Sequence, residues 1–158
     1  RTYRRIFALD IKSAFPEAEI YGSDADEKNL KKAKELGIID HFSKMDDVQH
    51  ADVVLVAVPV DIANKVITEV LGLVGENTLV FDAGSTKSGL CKEIANHPNR
   101  RNFLAAHPIA GTEFSGPEAA ISNLYRNKTN IICEVEKTAF KLQERALNIF
   151  QKLGMRIR

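Results

Sequence analysis

Residues 51–59, ADVVLVAVP, constrain the fold more than any other stretch. After Asp52 the run is wholly apolar and rich in β-branched valine, the pattern of a strand covered on both faces. Such a strand needs helices above and below it, and the neighbouring sequence supplies them. Residues 61–73 place Ile62, Val66, Ile67, Val70 and Leu71 at helical spacing. TLVFDAG (78–84) predicts the next strand and SGLCKEIANH (88–97) the next helix. NFLAAH (102–107) and NIICEV (130–135) predict two more strands. Residues 138–153 form a helix with Leu142, Ala146, Ile149, Phe150 and Leu153 on one side, ended by Gly154. MRIR then begins a further strand. Upstream, AEIYGSD (18–24) predicts a strand ending in an acid. EKNLKKAKELG (27–37) predicts a helix with Leu30, Ala33 and Leu36 on one face and Gly37 at its end.

Strands separated by helices imply right-handed crossovers and an α/β fold: a doubly wound, mainly parallel sheet with helices on both faces. The 158 residues suit one domain. The chain opens with RTYRR and passes directly into IFALDIKSAF, a helix whose apolar face is Ile6, Phe7, Ile11, Ala14 and Phe15. In a Rossmann-like unit that helix follows a strand and a G-x-G-x-x-G turn, whose amides hold a pyrophosphate. Neither precedes it here, so residues 1–158 are expected to be a partial unit, part of a longer protein. The absent strand is central in the usual order, and its loss is expected to open a gap in the sheet.

Ligands of such sheets bind beyond the carboxyl ends of the strands. That rule singles out Asp24, Val58–Pro59, Gly84–Ser85 and His107. An acid at the position of Asp24 accepts hydrogen bonds from a ribose and repels a 2′-phosphate; Asp26 adds charge and no arginine follows at once, which favours NAD over NADP. The competing role for Asp24 is to form the turn or cap the next helix. Ser85 or Thr86 is a credible cap for the helix after DAGSTKSG, yet two hydroxyls and Lys87 together exceed what capping requires. A hydroxyl there could orient a substrate oxygen, with the helix N-terminus favouring negative charge. His41, His50 and His97 sit in polar segments, whereas His107 ends an inner strand, with Pro108 expected to fix the turn into a loop. That loop carries Gly111, Thr112, Glu113, Ser115 and Gly116, a polar wall for a ligand. A packed structural histidine is the plain alternative.

The formal charge of +1 argues for no nucleic-acid or membrane partner, and no apolar run is long enough to span a bilayer. Cys91 and Cys133 lie far apart in sequence without a CxxC, which argues against a metal or redox pair and for a reduced, cytoplasmic protein. No metal-ligand cluster and no G-x-S-x-G appear.

GSTKSG, HPIAGTEFSGPEAA and YGSDADEKNLKKAKELGIID resemble the nucleotide domain of prephenate dehydrogenases, over about Ile6 to Arg158. The resemblance implies NAD- or NADP-dependent oxidative decarboxylation of prephenate to 4-hydroxyphenylpyruvate in tyrosine biosynthesis. It implies His107 as the catalytic histidine on the ring hydroxyl and Ser85 as the serine contacting that hydroxyl. Thr112 and Glu113 would line the substrate pocket, Asp24 would hold the ribose, and Val58 and Pro59 would form the turn beside the cofactor. It further implies a C-terminal helical domain, absent from this chain, that makes a homodimer and completes the substrate site. An arogenate dehydrogenase, another β-hydroxyacid-type dehydrogenase, and a catalytically inactive nucleotide-binding module are the alternatives.

Overall fold

The computed structural model describes residues 2–109 and 125–158. Helix α1 (Thr2–Ala14) leads into strand β1 (Tyr21–Gly22), helix α2 (Glu27–Glu35) and strand β2 (His41–Phe42). Then follow β3 (Val53–Val56), α3 (Val60–Leu73), β4 (Leu79–Asp82) and α4 (Ser88–Glu93). The remainder comprises β5 (Phe103–Ile109), β6 (Thr129–Cys133), α5 (Phe140–Lys152) and β7 (Arg156–Ile157). Apart from β5, the ordered strands are shorter than the runs that predict them, because only part of each run has a ladder partner. Helices α2 and α5 give way to Gly37 (φ 65°) and Gly154 (φ 71°), left-handed positions that glycine occupies without steric cost.

The expected gap is present. The strands form two sheets, β2-β1 and β3-β4-β5-β6-β7, and β1 is not hydrogen-bonded to β3. All pairings are parallel except β5 with β6. Helix α1 serves both sheets. Phe7 is buried against Phe81 and Tyr125 in edge-to-face contacts with centroids 5.5 and 5.3 Å apart, which ties α1 to the larger sheet. One helical turn beyond, Lys12 donates to the Gly37 carbonyl (2.9 Å) and to Asp40 Oδ1 (2.6 Å), just before β2.

The Lys12 hydrogen bond, helped by the Ile20 amide at 2.8 Å, holds the Asp40 carboxyl below its ordinary range. A depressed carboxylate contributes stability that is present above its unfolded value of 3.8 and is lost as pH falls through its folded value. Lys12→Met is therefore expected to flatten the loss of stability in that acid window, a difference read by urea titrations at stepped pH.

Two apolar layers cover the larger sheet. One joins Phe7 of α1 and Leu142, Ala146, Ile149 and Phe150 of α5 to Leu79, Phe81, Leu104 and Ala106. The other joins Ile67, Val70 and Leu71 of α3 and Leu90 and Cys91 of α4 to Val56, Val80, Phe103 and Ala105. The stripes expected on α3 and α5 are buried here, although Ile62 remains exposed. The stripe on α2 is not: no residue of that helix is buried, since it flanks only the two-stranded sheet. Cys91 and Cys133, distant in sequence, are free thiols of the same layer, and burial pushes the Cys91 thiol up.

Candidate active site

The site lies where β4 and β5 part. These strands pair only at Val80–Phe103 and Phe81–Leu104, so beyond Leu104 one edge of β5 has no ladder partner among the described residues. Side-chain alternation fixes which residues face the opening. Val54 and Val56 on β3, Val80 on β4, and Phe103 and Ala105 on β5 all face the layer of α3 and α4. Continuing by twos puts Asp82 and His107 on that same side, with Val56 and Asp82 directly paired. There they line a cavity of about 420 Å³, a size suited to a small ring compound. Val58, Val60, Ala63 and Leu90 make its apolar wall; Ser85, Thr86 and Asn64 supply polar edges.

Three of the four strand ends singled out by sequence therefore meet: Val58, Gly84–Ser85 and His107 all line this cavity. Pro59 is the residue at which α3 begins, next to that wall. Asp24 is not among the lining residues and follows β1 in the separate sheet. Its Oδ1 accepts the Asp26 amide at 2.9 Å, the turn-forming role, while Asp26 caps α2 by accepting from the Lys28 amide at 2.9 Å. Thr112 and Glu113 lie outside the described residues.

Two local expectations are corrected. His107 is not the last residue of its strand, and Pro108 does not turn the chain. β5 runs on to Ile109, with His107 opposite Ile131 and Pro108 opposite Asn130 in the antiparallel ladder. Proline's missing amide proton is tolerated there because β4 has already left that edge of β5. The imidazole is thus held mid-strand. Neither Ser85 nor Thr86 caps α4, which begins after Lys87 with no side-chain cap and is only six residues long. Both hydroxyls are exposed and carry no structural duty that capping would explain.

His107 Nδ1 is buried with no hydrogen-bond partner among the described residues. With Nδ1 buried, a base role for this imidazole falls to Nε2 and requires the ring proton on Nδ1.

The residues that sequence reasoning passed over are Asp82 and Lys87 as a pair. Asp82 is 3% exposed, and its Oδ2 accepts the Gly84 amide at 3.0 Å and the Lys87 ammonium. Lys87 also donates to the Gly84 carbonyl at 2.7 Å. A Cβ on Gly84 would stand 2.9 Å from Asp82 Oδ2, so the turn admits only glycine without displacing the carboxylate. Asp82 Oδ1 makes no hydrogen bond of normal geometry among the described residues. Burial pushes the Asp82 carboxyl above its ordinary value, and Lys87 and the Gly84 and Ala106 amides pull the other way without prevailing. An acid closing an apolar strand, TLVFD, was the available signal. At the mouth, Asn64 donates to Glu93 at 2.5 Å and links α3 to α4.

The described residues contain no group of three or more histidine, cysteine or carboxylate side chains placed to hold a metal. The cavity's apolar wall suits a flat ring such as a nicotinamide, with Ser85, Thr86 and Asn64 offering polar groups beside it.

Residues 7–158 match the family described as "Prephenate dehydrogenase, nucleotide-binding domain". The chain is 38% identical over 135 residues to the prephenate dehydrogenase of Lactococcus lactis subsp. cremoris (strain MG1363), covering 80% of this chain and 37% of that protein. It is 33% identical over 150 residues to the prephenate dehydrogenase of Bacillus subtilis (strain 168), covering 91% of this chain and 40% of that one. The crystal structure of prephenate dehydrogenase from A. aeolicus with hydroxyphenyl propionate and NAD+ superimposes with a TM-score of 0.85 at 30% identity. That superposition covers 96% of this chain and 54% of the other. The chain spans about two-fifths of the length of the two curated relatives.

Proposed function

The chain belongs to the prephenate dehydrogenase nucleotide-binding domain family, and on that premise we propose that it is the cofactor half of an NAD-dependent prephenate dehydrogenase. The observation that carries this is the shared cavity of His107, Ser85 and Val58 at the parting of β4 and β5. The reaction is the oxidative decarboxylation of prephenate to 4-hydroxyphenylpyruvate, a step of tyrosine synthesis, and we place the enzyme in the cytoplasm. No helix among the described residues is long and apolar enough to cross a membrane.

Oxidation of the ring carbon that bears the hydroxyl requires that hydroxyl to lose its proton as the carbonyl forms. His107 Nε2 accepts that proton, and the antiparallel ladder with β6 holds its backbone in place while it does so. The Ser85 hydroxyl orients the substrate oxygen toward the imidazole. NAD, when bound, supplies the hydride acceptor; NADP is the alternative carrier. Loss of carbon dioxide then aromatises the ring, a driving force that resides in the substrate. Val58 and Pro59 border the nicotinamide, Asp24 faces the ribose, and Thr112 and Glu113 complete the substrate pocket. The His107–Ser85 pair addresses the ring hydroxyl, which arogenate shares, so selection of prephenate over arogenate falls to residues at the other end of the substrate.

In this reading a further parallel strand lies between β1 and β3, and its turn would hold the pyrophosphate; the separation of the two sheets supports it. A helical domain that makes the homodimer completes the substrate site. The intact enzyme should reduce NAD with prephenate, and the absence of turnover with both prephenate and arogenate would refute the proposed activity. The 158-residue chain alone should bind NAD only weakly; submicromolar affinity in a calorimetric titration would contradict the role given to the missing strand.

A further inference from the structure

We infer that the buried Asp82–Lys87 ion pair is the positioning device for Ser85, fixing the turn so that its hydroxyl stands at the cavity with His107. The inference rests on the role proposed above for Ser85. Lys87 follows two exposed hydroxyls at a strand end, a place where a lysine would ordinarily reach solvent or an anion. It is instead folded inward, its side chain only 9% exposed, with Nζ on Asp82 and on the Gly84 carbonyl. The Gly84 amide is meanwhile held by the same Asp82 oxygen. Both peptide planes of Gly84 are thus gripped from one buried charge pair, and the second of them joins Gly84 to Ser85.

On its strand side the turn is also tied by the Ala83 amide, which donates to the Val56 carbonyl at 3.3 Å, but that bond ends before Gly84. Helix capping does not set the turn, because neither hydroxyl caps α4. Stability alone is a poor reason to bury two charges, since a well-packed apolar pair is often as stable. What an ion pair adds is a single geometry, here at the residue that must meet the substrate oxygen. Lys87, committed inward, is a positioning residue and leaves the cavity's ligand to Ser85 and His107.

The test removes both charges together, in Asp82→Asn/Lys87→Met, so that neither is left buried alone. In the 158-residue chain the backbone order parameter at Ser85 should fall from about 0.85 to below about 0.6 while Leu79–Phe81 stay rigid. In the intact enzyme kcat should fall by about 10²-fold, with the KM for NAD changed by less than about threefold. Adding Ser85→Ala should then cost little more, because its contribution has already been lost. An unchanged order parameter at Ser85, or kcat losses that multiply, would overturn the inference. Should the double variant not fold, Lys87→Arg, which trades a compact ammonium for a planar fork, is judged by the same criteria. If the wild-type enzyme proves inactive on prephenate and arogenate, the relaxation measurement still decides the positioning role.

Discussion

Replacing His107 with asparagine in the intact enzyme should lower kcat by about 10²- to 10⁴-fold while leaving NAD affinity nearly unchanged. That loss corresponds to roughly 3–5 kcal/mol of barrier, the usual worth of a positioned proton acceptor. Asparagine keeps a hydrogen-bonding group but accepts no proton at neutral pH. The substitution should spare the fold, because His107 is only partly buried and its Nδ1 has no partner to lose among the described residues. A split between kcat and cofactor binding is the informative result. Equal loss of both, measured by initial rates and by NAD titration, would mean that the imidazole supports the pocket and takes no part in proton transfer.

The second large effect is on stability. Lys87→Met should destabilise the chain by about 3–5 kcal/mol at neutral pH, since it strands the Asp82 carboxylate in the interior. Adding Asp82→Asn should restore most of that loss. The sign of the pH dependence follows from Asp82. Its carboxyl is pushed above the ordinary value of 3.8, chiefly by burial. A group so raised costs stability in its ionised form, so stability falls as pH rises through the folded value. Removing Lys87 raises the carboxyl further and enlarges this cost. The gap between wild type and Lys87→Met should therefore narrow on acidification, as Asp82 takes up its proton. Urea titrations over stepped pH measure it, and a gap that widens toward acid would refute the ion pair as described.

Much of this was legible from the residues, for reasons that differ along the chain. Helices α3 and α5 carried long stripes at the helical period, and their layers bury Ile67, Val70 and Leu71 on one face and Leu142, Ala146 and Phe150 on the other. The parallel pairing of β3, β4 and β5 followed from the alternation of strands and helices, because crossovers of fixed hand lay successive strands side by side. The meeting of Ser85 with His107 followed from the strand-end rule, which needs only the order of elements.

The remainder depended on partners that no local window contains. Pro108 looked like a stop signal, yet the strand continues because β4 has diverged and left an open edge. The stripe on α2 was real but had little to cover it, lying beside two short strands. Lys87 looked like a crevice cation and is instead turned inward, since Asp82, five residues earlier, waits beneath the same turn. Asp24 carried two credible roles; the turn it forms with the Asp26 amide is visible, and the ribose role stays with the proposed cofactor.

The most direct measurement is a crystal structure of the intact enzyme with NAD and a phenolic product analogue. The predicted result places the ring hydroxyl within about 2.6–3.2 Å of both His107 Nε2 and Ser85 Oγ, inside the cavity between β4 and β5. An analogue whose hydroxyl is bound elsewhere, with either side chain out of reach, would contradict the shared site on which the proposed chemistry depends.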